Sequence, residues 1–257
     1  MRCVCTRRAL PLHAGTSTTH AMNLLGSLFS SSIGRKFLMA ATGLVLFGLV
    51  TGHLIGNLQI FLPPEKINAY GHMLESLGAG LWIIRAFLLV CLVIHVWLAI
   101  QLTLENRAAR PEVYAAEKTN RATLASRVMA RTGIVVLAFL IFHIAHYTVR
   151  AGHPEWSEYS YLLADGTMAR DVYQMMVEGF SNVGVSIFYI IAVGLLSYHL
   201  VHGISSMFQT FGLKNENWTR GLDGFAKVYC WAYFVLNALI PLSVLGYVPV
   251  LSGLIQR

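Results

Sequence analysis

Five long apolar runs, separated by shorter polar segments, dominate the pattern of hydrophobic positions along this chain. They cover about residues 37–62, 80–104, 132–149, 183–211 and 228–251. Each is close to or above the ~20 residues that a helix needs to cross a hydrocarbon core of ~30 Å. The pattern therefore predicts an all-α membrane protein, a five-transmembrane-helix bundle, whose helices are numbered I to V in chain order.

The composition agrees with a bilayer environment. Hydrophobic residues make up 56% of the 257 residues and charged residues 12%, and the mean hydropathy is +0.59. Charged residues reach about 25% in a soluble domain. We therefore expect a multi-pass membrane protein in contact with lipid.

Basic residues are concentrated in alternate connections between the helices. They precede helix I, fill the II–III connection and recur in the IV–V connection: Arg35, Lys36, Arg107, Arg110, Lys118, Arg121, Arg127, Arg131, Lys214, Arg220 and Lys227. The positive-inside bias then predicts a cytoplasmic N-terminus and an outside C-terminus. Orientation accounts for the net charge of +7, and we expect no nucleic-acid partner. The acidic and aromatic III–IV connection, about residues 150–182, is predicted to be an outer cap at the interface.

Residues 1–30 are predicted to form an N-terminal extension to a membrane domain of residues 31–257. Residues 1–20 contain no apolar core of 7–15 residues, so they do not fit a secretory signal. Met22 is a plausible true start.

Four histidines lie in four different predicted helices: His53, His95, His143 and His199. Ionisable side chains within a membrane span usually face the bundle interior and mark a site or a pathway. At 1.5 Å per residue, His53 lies roughly 27 Å beyond Arg35, and His143 roughly 18 Å beyond the start of the shorter helix III. His95 and His199 each come roughly 24 Å after the outer starts of helices II and IV. The sequence thus predicts an outer pair, His53 with His143, and an inner pair, His95 with His199.

Two facing imidazoles are suitable axial ligands for a low-spin haem iron. The sequence has no Cys-x-x-Cys-His, so covalent attachment is excluded and the pattern predicts two haems of b type. Helices III and IV each carry a second histidine three residues later, His146 and His202, on nearly the same face. The spacing alone leaves the ligand open in each doublet. The other member could support a haem propionate, bind a quinone or hydrogen-bond its neighbour.

Several motifs resemble the dihaem cytochrome b membrane-anchor subunit of succinate:quinone oxidoreductases (succinate dehydrogenase and fumarate reductase), the single-polypeptide five-helix type. They are Lys36-Phe-Leu-Met-Ala-Ala-Thr-Gly43, His53-Leu-Ile-Gly-Asn-Leu-Gln-Ile-Phe61, Asn68-Ala-Tyr70, Asn106-Arg-Ala-Ala-Arg-Pro111 with Tyr114, and His199-Leu-Val-His-Gly-Ile-Ser-Ser-Met-Phe-Gln-Thr-Phe-Gly212. The resemblance implies haem ligation by the same two pairs, with the first histidine of each doublet as the ligand.

The resemblance also implies the function and the partners. In that family, a flavoprotein subunit oxidises succinate and an iron–sulfur subunit docks on the cytoplasmic face. Electrons would pass to the inner haem, the outer haem and a quinone, often menaquinone, in the bacterial cytoplasmic membrane. The chain itself would be an electron-transfer subunit of the enzyme, without the succinate-oxidising site.

Two further residues are candidates for the quinone reaction and for haem binding. Glu75, just before helix II, is a candidate proton carrier at a quinone site. Arg85, one to two turns into helix II, could meet a haem propionate or extend to the interface. Helix IV has no carboxylate between Glu178 and Glu216. The carboxylate found there in some fumarate-reducing relatives is missing, which favours succinate oxidation over fumarate reduction.

Two other functions are compatible with intramembrane histidines. A transporter would use them as a cation path, with ligands clustered near the midplane beside broken helices, whereas two levels are predicted here. A haem-free structural anchor would leave four matched polar side chains unexplained.

Overall fold

The structure is a computed structural model that describes residues 28–108 and 124–255. Five of its helices are long and apolar enough to cross a membrane. They are α1 (Ser32–Asn57), α3 (Ala79–Ala108), α4 (Leu124–His143), α6 (Val183–Thr210) and α7 (Thr219–Val244). The prediction of five helices long and apolar enough to span a membrane is confirmed.

Some sequence predictions fall outside the described residues. They concern the N-terminal extension as far as residue 27, including Met22, and the part of the basic II–III connection that contains Arg110, Pro111, Tyr114, Lys118 and Arg121. The side chain of Arg127 is also outside them.

Polar caps begin the helices where the apolar pattern starts. The Ser31 hydroxyl accepts a hydrogen bond from the Gly34 N–H at 3.0 Å, which starts α1. The Asn182 side chain accepts from the Val185 N–H at 3.2 Å and starts α6. Such caps satisfy backbone N–H groups that have no partner within the helix.

The long helices pack as two pairs. Helix α1 packs on α3, and α4 packs on α6, while α6 also contacts α1 and α7. Helices α3 and α4 touch each other little. A cavity therefore lies between the α1–α3 pair and the α4–α6 pair.

Short elements cover one end of the bundle, which we call the capped end. These are α2 (Pro64–Ser76), the antiparallel strands β1 (Ser160–Leu162) and β2 (Met168–Arg170), α5 (Val172–Ser181) and α8 (Pro249–Ile255). The fully buried Asn68 joins two of them, because its side chain donates to Asp171 at 3.1 Å and accepts from the Tyr173 N–H at 3.0 Å. The Tyr173 hydroxyl in turn donates to the carbonyl oxygen of Ile255. A cap was predicted for residues 150–182, but the hairpin within it was not.

One helix changes its hydrogen-bonding pattern near its end, and another ends earlier than the sequence pattern predicts. Helix α4 stops at His143 and continues as a π-helix, Ile144–Val149. Helix α7 stops at Val244, because a turn with Gly246 at φ +82° follows, and α8 begins at Pro249. Apolar residues continue through that turn, so hydropathy alone extended helix V to residue 251.

Candidate functional site

A cavity of about 2270 Å³ runs between the two helix pairs. Pockets for one drug-sized ligand reach about 1,000 Å³. All four predicted ligands line this cavity: His53 on α1, His95 on α3, His143 on α4 and His199 on α6. The space therefore suits two large ligands better than one.

His53 and His143 face each other near the capped end. Their ring centroids are 5.5 Å apart, and the rings are inclined at 81°. Imidazole nitrogens bind metals at about 2 Å, so one metal held between the two rings would place their centroids about 6 Å apart, slightly more than the separation seen here. The structure thus brings together the two residues predicted to form the outer pair.

His95 is oriented by a threonine on the neighbouring helix. The Thr42 hydroxyl lies 2.8 Å from the Leu38 carbonyl oxygen and 3.1 Å from that of Met39, so its proton is donated to the backbone. The same oxygen lies 3.2 Å from Nδ1 of His95 and must therefore accept the Nδ1 proton. This bond fixes the tautomer and leaves the lone pair of Nε2 free for a metal.

His199 has the same arrangement on the other helix pair. The Thr132 hydroxyl donates to the Met129 carbonyl oxygen at 3.0 Å and lies 3.3 Å from Nδ1 of His199. A glycine follows each threonine in the sequence, and a Cβ there would lie 3.4 Å from His95 at Gly43 and 3.5 Å from His199 at Gly133. The Thr42-Gly43 and Thr132-Gly133 dipeptides hold the two imidazoles in matching ways.

Glycines on α1 leave the cavity wall flat. A Cβ at Gly48 or Gly52 would meet no atom within 4 Å, and both residues line the cavity. Gly56 differs, because a Cβ there would lie 2.7 Å from the Tyr70 ring. Gly48 and Gly52 thus suit a flat ligand, whereas Gly56 serves helix packing.

The two doublet histidines differ in their surroundings. His146 does not line the cavity; it is buried among aromatic rings, including Trp156 at 5.3 Å between ring centroids. His202 does line the cavity. The first histidine of each doublet takes part in the pairs described above, so the geometry favours His143 and His199 as ligands.

Tyr189 links the histidines of the first doublet and was not predicted from the sequence. Its hydroxyl lies 3.3 Å from Nδ1 of His143 and 3.1 Å from Nδ1 of His146. A hydroxyl has one proton and two lone pairs, so Tyr189 can donate to at most one of the two histidines and can accept from either. The arrangement that leaves Nε2 of His143 free for a metal has His143 donating to Tyr189 and Tyr189 donating to His146.

Glu75 and Arg85 both line a second pocket of about 410 Å³ at the capped end. Glu75 lies in the last turn of α2 and accepts from Nε of Arg170 at 3.0 Å, so its carboxylate is already paired. The Arg85 guanidinium carbon lies 5.0 Å from the Trp82 ring centroid, and Arg85 also lines the large cavity. Neither residue lies in the histidine pairs themselves.

A tyrosine at the capped surface is held neutral. The Tyr159 hydroxyl donates to Glu178 at 2.6 Å, and this hydrogen bond raises the pKa of Tyr159 to about 12. Tyr159 therefore stays protonated at neutral pH, and it is not a candidate for proton exchange there.

The candidate metal ligands in the cavity are imidazoles on facing helices. Within the described ranges, no three His, Cys, Asp or Glu side chains come close enough to hold a metal ion together. Pairs of imidazoles are what haem requires, because the macrocycle supplies the remaining nitrogens and the protein supplies the axial ligands.

Comparisons of the chain with protein-family models, curated proteins and solved structures found no match. Function is therefore inferred from the residues and their geometry.

Proposed function

We propose that this chain is the membrane-anchor and electron-transfer subunit of a succinate:quinone oxidoreductase, with two b-type haems. His53 and His143 would hold the outer haem, and His95 and His199 the inner haem. The quinone is proposed to be menaquinone, and the membrane to be the bacterial cytoplasmic membrane. The proposal rests on the sequence motifs and on the geometry of the four histidines.

One observation carries the proposal. Two histidines on different helix pairs each place Nδ1 at 3.2–3.3 Å from a threonine hydroxyl that donates to the backbone, and both histidines line the same cavity. A histidine that only joined two helices would not need its other nitrogen kept free, whereas a ligating histidine does.

The bound haems would supply one-electron transfer between the two faces of the membrane. The chain's own residues would orient the imidazoles and leave flat space at Gly48 and Gly52. Thr42 and Thr132 also raise the basicity of the inner ligands through the Nδ1 hydrogen bonds.

The end opposite the capped end is proposed to face the cytoplasm, where the iron–sulfur and flavoprotein subunits would dock. Arg35 at this end pairs with Glu105 at 2.5 Å, and Lys214 pairs with Asp223 at 2.5 Å. Lys36 is exposed. Docking of an acidic partner would therefore use Lys36 and the basic II–III connection more than Arg35.

The quinone is proposed to react near the capped end, where Glu75 would exchange protons with it. The Glu75 carboxylate lies at the pocket wall, where it is paired with Arg170. A carboxylate with one side chain partner and about half its surface exposed can still accept a proton from water or release one.

A cytochrome b subunit of a fumarate reductase would use the same haem sites in the opposite direction. We prefer succinate oxidation because α6 carries no carboxylate. A histidine-lined transporter is less favoured, because the histidines occupy two levels and form pairs.

The proposal is tested by adding succinate to membranes that contain the whole complex and recording the haem absorption bands. Succinate should reduce b-type haem in wild-type membranes. A variant in which His95 and His199 are both replaced by alanine should show no haem reduction by succinate. A chain that binds no haem, or whose haems succinate does not reduce, would contradict the proposed function.

A further inference from the structure

The second pocket carries more positive than negative charge. Three arginines, Arg85, Arg150 and Arg170, line it, against one carboxylate, Glu75. Arg170 and Glu75 neutralise each other. No carboxylate of the described residues pairs with Arg85 or Arg150. We call this the arginine pocket.

Arg150 is held in the pocket in an unfavourable backbone conformation. It is the one non-glycine residue with a positive φ in residues 28–108 and 124–255, at φ +60° and ψ +38°. It ends the π-helix that follows His143. Side chains other than glycine seldom adopt this conformation, and where they do, it tends to mark a functional position.

Polar atoms that line the pocket are buried without partners. Nε and Nη1 of Arg150 and the hydroxyl of Tyr147 are buried, and no hydrogen-bond partner within the described part of the chain reaches them. The Tyr147 hydroxyl fits only because residue 179 is glycine, since a Cβ there would lie 2.5 Å from it. Buried donors of this kind are costly unless a ligand satisfies them. The missing partner is an acceptor, and the charge requires an anion.

The arginine pocket joins the large cavity near the His53–His143 pair. Arg85 and Tyr147 line both spaces. Tyr147 lies four residues after His143, and their ring centroids are 5.9 Å apart. A ligand between His53 and His143 therefore lies within reach of these donors. Haem carries two carboxylates on one edge, and these are its charged groups.

We propose that the arginine pocket binds the propionate carboxylates of the outer haem through Arg85, Tyr147 and Arg150. This inference rests on the proposed function, and it assigns the propionate edge of that haem to the capped end. Arginine suits the task because its planar fork binds a carboxylate through two hydrogen bonds. Arg170 contributes less, because Glu75 already occupies it.

The test is a redox titration of both haems in the purified complex. Arg150→Gly removes the guanidinium and also suits the positive φ, so the change does not add backbone strain. Loss of a positive charge beside the propionates disfavours the reduced haem. We expect the redox potential of one haem to fall by about 59 mV, which is about tenfold in the equilibrium of a one-electron couple. The potential of the other haem should stay unchanged.

Two further variants serve as controls. Arg150→Lys keeps the charge but loses the fork, so its shift should be smaller. The double variant Glu75→Gln/Arg170→Gln removes one charge of each sign and should shift the potential less than Arg150→Gly does. Loss of one haem from Arg150→Gly, with the other haem's potential unchanged, would also support the proposal.

The contrary outcomes are distinguishable. Two haems with wild-type potentials in Arg150→Gly would overturn the propionate assignment and leave the proposed function intact. If Arg150→Gly instead lost a co-purified anionic phospholipid, with potentials unchanged, the pocket would belong to a lipid phosphate. A wild-type complex without haem would refute the proposed function itself.

Discussion

Replacing Thr42 or Thr132 by valine should alter the inner haem alone. Valine has nearly the shape of threonine but cannot accept the Nδ1 proton of His95 or His199. The hydrogen bonds in question are 3.2 Å and 3.3 Å long. Each variant removes the hydroxyl oxygen that lies beside Nδ1 of a buried imidazole.

The expected change in the inner-haem redox potential follows from the free energy of one such hydrogen bond. A net hydrogen bond contributes about 1 kcal/mol, and a buried donor left unpaired costs about 1–3 kcal/mol. An imidazole that loses its acceptor is a weaker ligand, so oxidised iron loses more stabilisation than reduced iron. The inner-haem potential should therefore rise by on the order of 40 mV in each single variant, and by about twice that in the double variant.

The assay is a redox titration with haem quantification, and Thr51→Val is the matched control. Thr51 lies on the same helix and bonds Phe47 and Tyr229 instead of a histidine. Thr51→Val should leave both haem redox potentials as in the wild type. If Thr42→Val and Thr132→Val behaved like Thr51→Val, the inferred tautomers and the inner pair would be refuted.

Three further predictions concern the doublets, Tyr189 and the quinone. His146→Gln and His202→Gln should retain both haems; loss of haem from His146→Gln but not from His143→Gln would show that His146 is the ligand. Tyr189→Phe should retain both haems but shift the outer-haem potential, and an unshifted potential would remove Tyr189 from the site. Glu75→Gln should impair quinone reduction while succinate still reduces both haems. If the quinone reacts at the outer face, electrons move outward through a field worth ~2.3 kcal/mol per 100 mV, so the membrane potential drives the reaction. An uncoupler should therefore slow succinate:menaquinone activity in intact membranes. If neither Glu75→Gln nor the uncoupler lowered the activity, the quinone would instead react at the cytoplasmic end.

Hydropathy and spacing predicted the five long helices and the contact between His53 and His143. The helices were predictable because a membrane span needs a fixed length of apolar sequence. The depth of each histidine was predictable because each helical residue adds a fixed rise. His53 and His143 lie 90 positions apart, yet their shared depth was enough to pair them. The choice within each doublet could not come from spacing, because residues three apart share a face.

Contacts set by tertiary structure were not predictable. The Thr42 and Thr132 bonds depend on which helix packs beside which, and the Thr-Gly dipeptide alone does not identify them, since the hydroxyl of Thr51-Gly52 bonds to groups other than histidine. Arg150 lies at the end of a π-helix, and no local pattern indicated that helix or the positive φ that follows it. The pairing of Glu75 with Arg170 joins residues 95 positions apart in two short elements that hydropathy does not detect.

The most direct test of the central claim is the number of haems per chain in the wild type and in single histidine variants. A pyridine haemochrome assay on the purified complex should give two b haems per wild-type chain. His95→Ala and His199→Ala should each lose the same haem, and His53→Ala and His143→Ala should each lose mainly the other, as seen in the reduced-minus-oxidised spectrum. One haem per wild-type chain, or full haem content in His95→Ala, would contradict the assignment of two haems to these two pairs.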